Sequence, residues 1–413
     1  MAISLIAVAV FTRLVGVDDY GRFVFVTAVI GTIITALAGW GEYAVLRVVP
    51  EIERPTDFLV AVSTLRRLVM RSSAFAAAIL VITGFLVVRV GWLPSAFMPY
   101  LLPAACVVLV RPTYQTLRTM YQARGEAGRY AVYELVQAAL GMVLSVFMVW
   151  LLRFGMFGRL WAETTVLAAL IWVANRSLLG PEHVVMTAGK PTDPATARRA
   201  VRVGLPLAGW FTGLGLMGAI ERGILRLLAG DDAVGSYGAI FALIERTSTL
   251  AFGPFLMLSF PYLVRIFATC GRTEAGVALG RIMTVFGAWA AAYLILGLGF
   301  AEKIIRAVIP HDYLTGLSVV PWLLVAFVLW HFAMYAHKGL ELGEKIGNML
   351  WAMGAALSAI ALGCIVFVPR FGIAGAGVAR VLAALAYLAV VWKPSQAVVP
   401  WVFKSVWSSG RVQ

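Results

Sequence analysis

The chain has 413 residues, of which 61% are hydrophobic and only 13% charged, and it carries a formal net charge of +14. Soluble domains average about 45–50% apolar and about 25% charged residues, so a soluble globular protein is excluded. Long apolar runs without strand-like alternation also exclude a β-barrel and leave membrane helices, which satisfy their backbone groups within the segment.

Twelve spans are predicted in chain order: 1–17, 23–46, 72–90, 97–122, 131–152, 157–176, 204–228, 236–262, 281–302, 314–337, 347–368 and 373–393. Each is read as a helix against the roughly 20 residues that cross a bilayer. The first is short. The residues before Arg13 cover about 18 Å of a roughly 30 Å core, which predicts a truncated first helix or a start further upstream. A signal peptide fits less well, because there is no basic leading region and no small-residue cleavage site before Asp18. The polar stretch after span six, with Pro181, Pro191 and Pro194, is predicted to be a linker.

The halves repeat. LVGVDDYGRF from Leu14 aligns with LAGDDAVGSY from Leu228, RFGMFG from Arg153 with RFGIAG from Arg370, and Gly125-Glu126 with Gly343-Glu344. One nearly constant offset across half the chain indicates duplication of a six-helix unit. Internal repeats in a membrane chain point to a secondary transporter. The predicted organisation is an N-terminal lobe over 1–180, a cytoplasmic linker over 181–203, a C-terminal lobe over 204–394 and a cytoplasmic tail over 395–413.

Most of the positive charge follows from topology. Of the 34 Lys and Arg residues, 21 fall in the even connections and the C-terminal tail, Arg118 and Lys338 among them, and nine at the odd connections, Arg13 among them. The positive-inside rule then puts both termini in the cytoplasm and removes any need for nucleic acid. Cys106, Cys270 and Cys364 lack metal spacing and the four histidines form no HExxH, so neither a metal nor a cofactor is expected. Pro103, Pro112, Pro254 and Pro261 are expected to kink or end helices.

Four arginines remain inside the spans: Arg111, Arg222, Arg246 and Arg380. Intramembrane charge costs about 2.5–3.5 kcal/mol on insertion scales, so its default reading is functional. Arginine suits phosphate through its fork of donors. These four are the candidate cargo-binding cations. Glu42, Glu163, Glu221 and Glu245 are candidates for ion coupling. Helix neighbours point about 100° apart, so Glu221-Arg222 and Glu245-Arg246 do not neutralise themselves, and the expected pair is Arg222 with Glu245. Arg111 has no partner evident in the sequence. Gly213-x-Gly215-x-x-Gly218 has no preceding strand and reads as small-residue helix packing rather than a nucleotide loop.

LVGVDDYGRF followed by GWGEYAVLRVVPE (Gly39 to Glu51), with PRFGIAGAGVAR (Pro369 to Arg380) near the end, resembles the polysaccharide-biosynthesis flippases. These O-antigen and exopolysaccharide translocases belong to the multidrug/oligosaccharidyl-lipid/polysaccharide exporter superfamily. The resemblance implies an all-α, MATE-like protein: twelve helices in two six-helix lobes around a central cavity, in the bacterial inner membrane. It implies an undecaprenyl-pyrophosphate-linked oligosaccharide as cargo, with membrane lipid and other polysaccharide-assembly proteins as partners. Basic residues in spans one, seven and eight are a theme of the family, which adds Arg13 to Arg222 and Arg246. A cation-coupled multidrug exporter of the same architecture is the alternative. A membrane polymerase or glycosyltransferase is the enzyme alternative, but no large loop is present to carry catalytic groups.

Overall fold

The computed structural model describes residues 2–51, 54–179 and 193–401. Residue 180, the first part of the predicted linker (181–192) and the end of the predicted tail, from residue 402, lie outside the described residues. The described residues are almost entirely helical, and no strand occurs among them.

In chain order the helices are α1 (Ala2–Leu14), α2 (Val17–Leu37), α3 (Trp40–Val48), α4 (Pro55–Arg89), α5 (Met98–Ala123), α6 (Ala127–Val146) and α7 (Phe157–Leu179). A continuous stretch, Pro194–Val308, follows, broken at Gly230 (φ 87°) and Gly271 (φ 86°). A side chain resists that backbone conformation, and glycine does not. The breaks divide the stretch into α8 (194–229), α9 (231–270) and α10 (272–308). Then come α11 (Val320–Ala336), α12 (Lys338–Leu342), α13 (Ile346–Phe371) and α14 (Ile373–Val398). Nine helical segments among the described residues are long and apolar enough to cross a membrane, one of them being the twice-broken stretch. With the shorter apolar helix Leu5–Leu14 they occupy the twelve predicted spans in order. The prolines do not end their helices: α5 runs through Pro103 and Pro112, and 231–270 runs through Pro254 and Pro261.

The repeat is visible in local backbone geometry. Pro94 (φ −58°, ψ 152°) and Pro310 (φ −59°, ψ 156°) each start a 3-10 turn. Each proline carbonyl accepts from an aromatic residue three positions on, Phe97 or Tyr313, at 3.1 Å. The cap Glu126 (φ −82°, ψ 57°) matches the cap Lys345 (φ −86°, ψ 54°). This corrects the alignment by one residue. Gly125 (φ 74°) is equivalent to Glu344 (φ 53°), not to Gly343. One repeat places glycine and the other glutamate at the same left-handed turn, so residue identity misled the alignment.

The chain forms two compact units. One comprises residues 22–219, the other the residues up to Gly21 together with those from Ile220 onward. Their boundaries fall inside α2 and α8 rather than at the linker. In the unit of 22–219, α3, α4, α5 and α7 share a core with the first turns of α8. Trp40, Val45, Leu65, Leu117, Tyr121 and Leu178 pack with Ala200 and Ala208. The start of α8 is fixed there by Asp193. Its amide donates to the Thr64 hydroxyl (3.2 Å), and its carboxylate accepts the amides of Ala195 (3.1 Å) and Thr196 (3.0 Å). The Thr196 hydroxyl, which also donates to this carboxylate, and the two amides hold the Asp193 carboxyl below its usual range.

In the other unit the duplicated LVGVDDYGRF-type segments meet. A Cβ on Gly21 would lie 2.0 Å from the Asp231 carbonyl oxygen, and one on Gly235 would lie 2.1 Å from that of Val17. Gly21 and Gly235, like Val17 and Asp231, are equivalent positions of the repeat. The contact is thus reciprocal, and both sides of it require the absence of a side chain.

Candidate functional site

The intramembrane charges resolve into clusters, each within one unit. Glu221 lies on α8 and is fully buried, with 0% exposure. An unpaired carboxylate there would be prohibitively expensive, and Arg380 from α14 meets it. The Arg380 Nε donates to both Glu221 oxygens (3.0 and 3.2 Å) and its Nη2 to Oε2 (2.5 Å). The same guanidinium lies 4.5 Å from the ring centre of Phe241 on α9. Arg222, directed away from its neighbour Glu221 by the helical step, also covers Phe241, at 4.7 Å. Tyr237, one turn before Phe241 and completely buried, closes the cluster beside Glu221. Two guanidinium groups therefore converge on one aromatic ring, with one carboxylate held between α8 and α14.

Glu245 and Arg246 lie further along α9, both half-buried. Neither makes a side-chain hydrogen bond or an ion pair among the described residues. The expected Arg222–Glu245 pair is not formed. Adjacency in a hairpin suggested it, but α14 brings a cation to Glu221 and Phe241 takes up Arg222.

In the unit of 22–219, Arg111 on α5 has the partner that the sequence did not reveal. Its Nε donates to Glu163 of α7 at 2.7 Å, and its Nη2 bonds the same oxygen. Glu163 and Arg380, equivalent in the repeat, are each satisfied by a helix of their own unit. Arg118, counted with a cytoplasmic connection on the sequence, is instead a buried member of α5. It meets Glu42 (3.4 Å) and Glu134 and stacks on Tyr130 (4.9 Å), while Thr119 donates to Glu42 (3.3 Å). Arg111, Tyr114, Arg118 and Tyr121 fall on one stripe of α5, a spacing that could have identified the cluster.

A second cluster missed on the sequence closes the end of α11. His337 is buried, with Nδ1 2.9 Å from the Tyr387 hydroxyl and Nε2 2.8 Å from Glu341. Lys338 donates to Glu341 at 2.6 Å. The i, i+4 spacing of His337 and Glu341 was the available signal. Arg13, on α1, donates to the carbonyls of Ala9 (2.8 Å) and Ala307 (3.5 Å) and so is tied to the end of α10. No group of His, Cys, Asp and Glu among the described residues has the arrangement of a metal site.

No protein-family model matches the chain, and no curated protein matches it. Solved structures do. A multidrug resistance MATE family transporter of the MOP superfamily in an inward-facing conformation aligns with 96% of this chain and 93% of its own, at TM-score 0.78 and 13% identity. An outward-facing structure of a multidrug resistance MATE family transporter aligns over 96% and 92% at TM-score 0.63 and 16% identity. A MOP superfamily transporter from Pyrococcus furiosus Vc1, described by a reverse polarity of its binding pocket that suggests a different function, aligns over 96% and 91% at TM-score 0.64 and 16% identity. The chain has the fold of the MATE transporters of the MOP superfamily.

Proposed function

We propose that the chain is a secondary transporter that flips an undecaprenyl-pyrophosphate-linked oligosaccharide across the bacterial inner membrane, with both termini cytoplasmic. The observation that carries this reading is the convergence of Arg222 and Arg380 on Phe241, with Arg246 on the same helix as that ring. Guanidinium groups match phosphate oxygens through their fork of donors, and in a dry site such contacts are far stronger than in water. In this reading Arg222 and Arg246 contact the head group, Arg380 and Arg111 organise the clusters through Glu221 and Glu163, and Arg13 lies apart. Glu42, Glu163 and Glu221 are each engaged by an arginine. Glu245 is not, and it is the ion-coupling carboxylate we favour. The Pyrococcus furiosus transporter, whose reversed pocket polarity suggests a different function, supports reading function from pocket charge on this fold.

The second reading, a cation-coupled multidrug exporter, draws on the multidrug resistance transporters among the structural neighbours. Deletion and complementation separate the two. Under the flippase reading, deletion abolishes surface polysaccharide, and the Arg222→Ala/Arg246→Ala protein, expressed at the normal level, does not restore it. Full restoration by that variant, or a deletion that alters only drug susceptibility, overturns the flippase reading.

A further inference from the structure

Either side of the Gly271 break, the end of α9 and the start of α10 lie side by side and leave a groove of about 420 Å³ between them. That volume is in the range of about 300–1,000 Å³ typical of built ligand sites. Phe255, Leu258, Ile282 and Val285 form its apolar length, with Leu258 76% and Val285 45% exposed. Its polar groups gather at the end nearer the break, where Tyr262 of α9 and Arg281 of α10 line it. Towards the other end the rings of Phe255 and Trp289 meet at 6.3 Å. The Ser259 hydroxyl between the ends donates to the Leu256 carbonyl (3.3 Å). At 1.5 Å per residue, the stretch from Pro254 to Tyr262 makes the groove about 12 Å long. It is polar at one end and offers hydrocarbon along the rest.

Arg281 is exposed and is the one charged residue among those that line the groove. It makes no ion pair and no side-chain hydrogen bond among the described residues. Arg265, Arg272 and Glu274 surround the break, all exposed and none of them paired among the described residues. Glu274 is the only acidic residue between Glu245 and Glu302, so three arginines face one carboxylate and the net charge at this end is +2. Glu274 stands seven residues before Arg281, about 10 Å along the helix and about one Debye length away. On α9, Phe260 meets Lys338 (4.5 Å), which is itself paired with Glu341, so that neighbour adds no net negative charge. Another face of α10 is already covered, because a Cβ on Gly276 would lie 2.1 Å from the Pro400 carbonyl oxygen.

We propose that this groove binds an anionic membrane phospholipid, with the phosphate on Arg281 and an acyl chain along Leu258 and Val285. Charge complementarity argues for this occupant: an unpaired guanidinium in a net positive surround stands at the polar end of an apolar groove. Basic pockets between membrane helices select anionic head groups, and arginine matches the phosphate oxygens. Tyr262 at the same end suits the head-group level, where tyrosine is enriched. The site requires only that the chain spans a membrane, and it stands or falls separately from the cargo reading.

The test uses the full chain, purified and exchanged into nanodiscs containing equal phosphatidylglycerol and phosphatidylcholine with identical acyl chains, with retained lipid counted by native mass spectrometry. The expected result is one tightly retained phosphatidylglycerol, preferred by about fivefold, the factor one interfacial cation supplies. Arg281→Gln brings that preference to parity. Arg272→Gln, outside the groove, leaves it in place. Leu258→Trp, which fills the groove, lowers retention of both lipids. Equal retention by the unmodified protein, a preference that survives Arg281→Gln, or undiminished retention in Leu258→Trp overturns the proposal. A preference lowered equally by Arg272→Gln assigns it to the general positive surface and overturns the groove. A second copy as the occupant would appear in the same spectra as a dimer that Leu258→Trp breaks, without lipid preference, and that result overturns the proposal as well.

Discussion

Glu221 is completely buried, while its chain neighbour Arg222 turns to the ring of Phe241. Removing one member of a buried ion pair leaves a charge that neither water nor a partner stabilises, at about 3–5 kcal/mol. Replacing both members with apolar groups of similar volume is often neutral or stabilising. We expect Glu221→Ala to lower the thermal midpoint in detergent sharply and Glu221→Leu/Arg380→Met to restore most of it. Additive losses in the two single variants and the double variant would show that the pair is not coupled. The sequence made these residues conspicuous, because charges inside apolar helices are rare. It did not supply the partners. Helical spacing excludes a neighbour as a partner, but which distant helix supplies the countercharge depends on packing. Hairpin adjacency favours Arg222 with Glu245, but adjacency does not fix which helix packs where, and Arg111 with Glu163 is not evident from either residue alone. Arg118 escaped notice because it lies near a span end, where a loop arginine and a buried one look alike.

Among the elements, the duplicated LVGVDDYGRF-type segments approach each other so closely that neither side has room for a side chain. A methyl group on Gly21 would stand 2.0 Å from a carbonyl oxygen, and backbone cannot move as a side-chain tip can. Gly31, in the same helix α2, has nothing within 4 Å of its added Cβ. Alanine there gains about 1 kcal/mol of helix propensity and meets no obstacle. We expect Gly21→Ala to reduce both the yield of folded protein and surface polysaccharide, and Gly31→Ala to be neutral or stabilising by thermal melt. Equal behaviour of the two variants would remove the close contact from the explanation. The repeat motif was legible as a repeat, but its reason was not. Aligned glycines state that a side chain is forbidden, without saying which carbonyl forbids it. The matching Pro94 and Pro310 turns went unread because one proline and a buried aromatic are too little sequence to align.

At the scale of the whole molecule, the helical class, the order of the spans and the MATE-like fold were legible, because the requirement to satisfy the backbone in lipid leaves so few solutions. The division into units was not. Duplication marks where a copied segment begins and ends in the chain, whereas packing decides which unit holds it. Thus α1 lies with the helices from Ile220 onward, and 193–219 with those before it. The central functional claim is that a cationic cluster carries a pyrophosphate head group. The most direct measurement places a fluorescent undecaprenyl-pyrophosphate-linked oligosaccharide in proteoliposomes containing the purified full chain and follows the access of a membrane-impermeant glycosidase to the sugar. Protein-dependent translocation that Arg222→Ala/Arg246→Ala abolishes is the expected result. No translocation by the unmodified protein, alongside ion-driven export of a cationic dye, would contradict it.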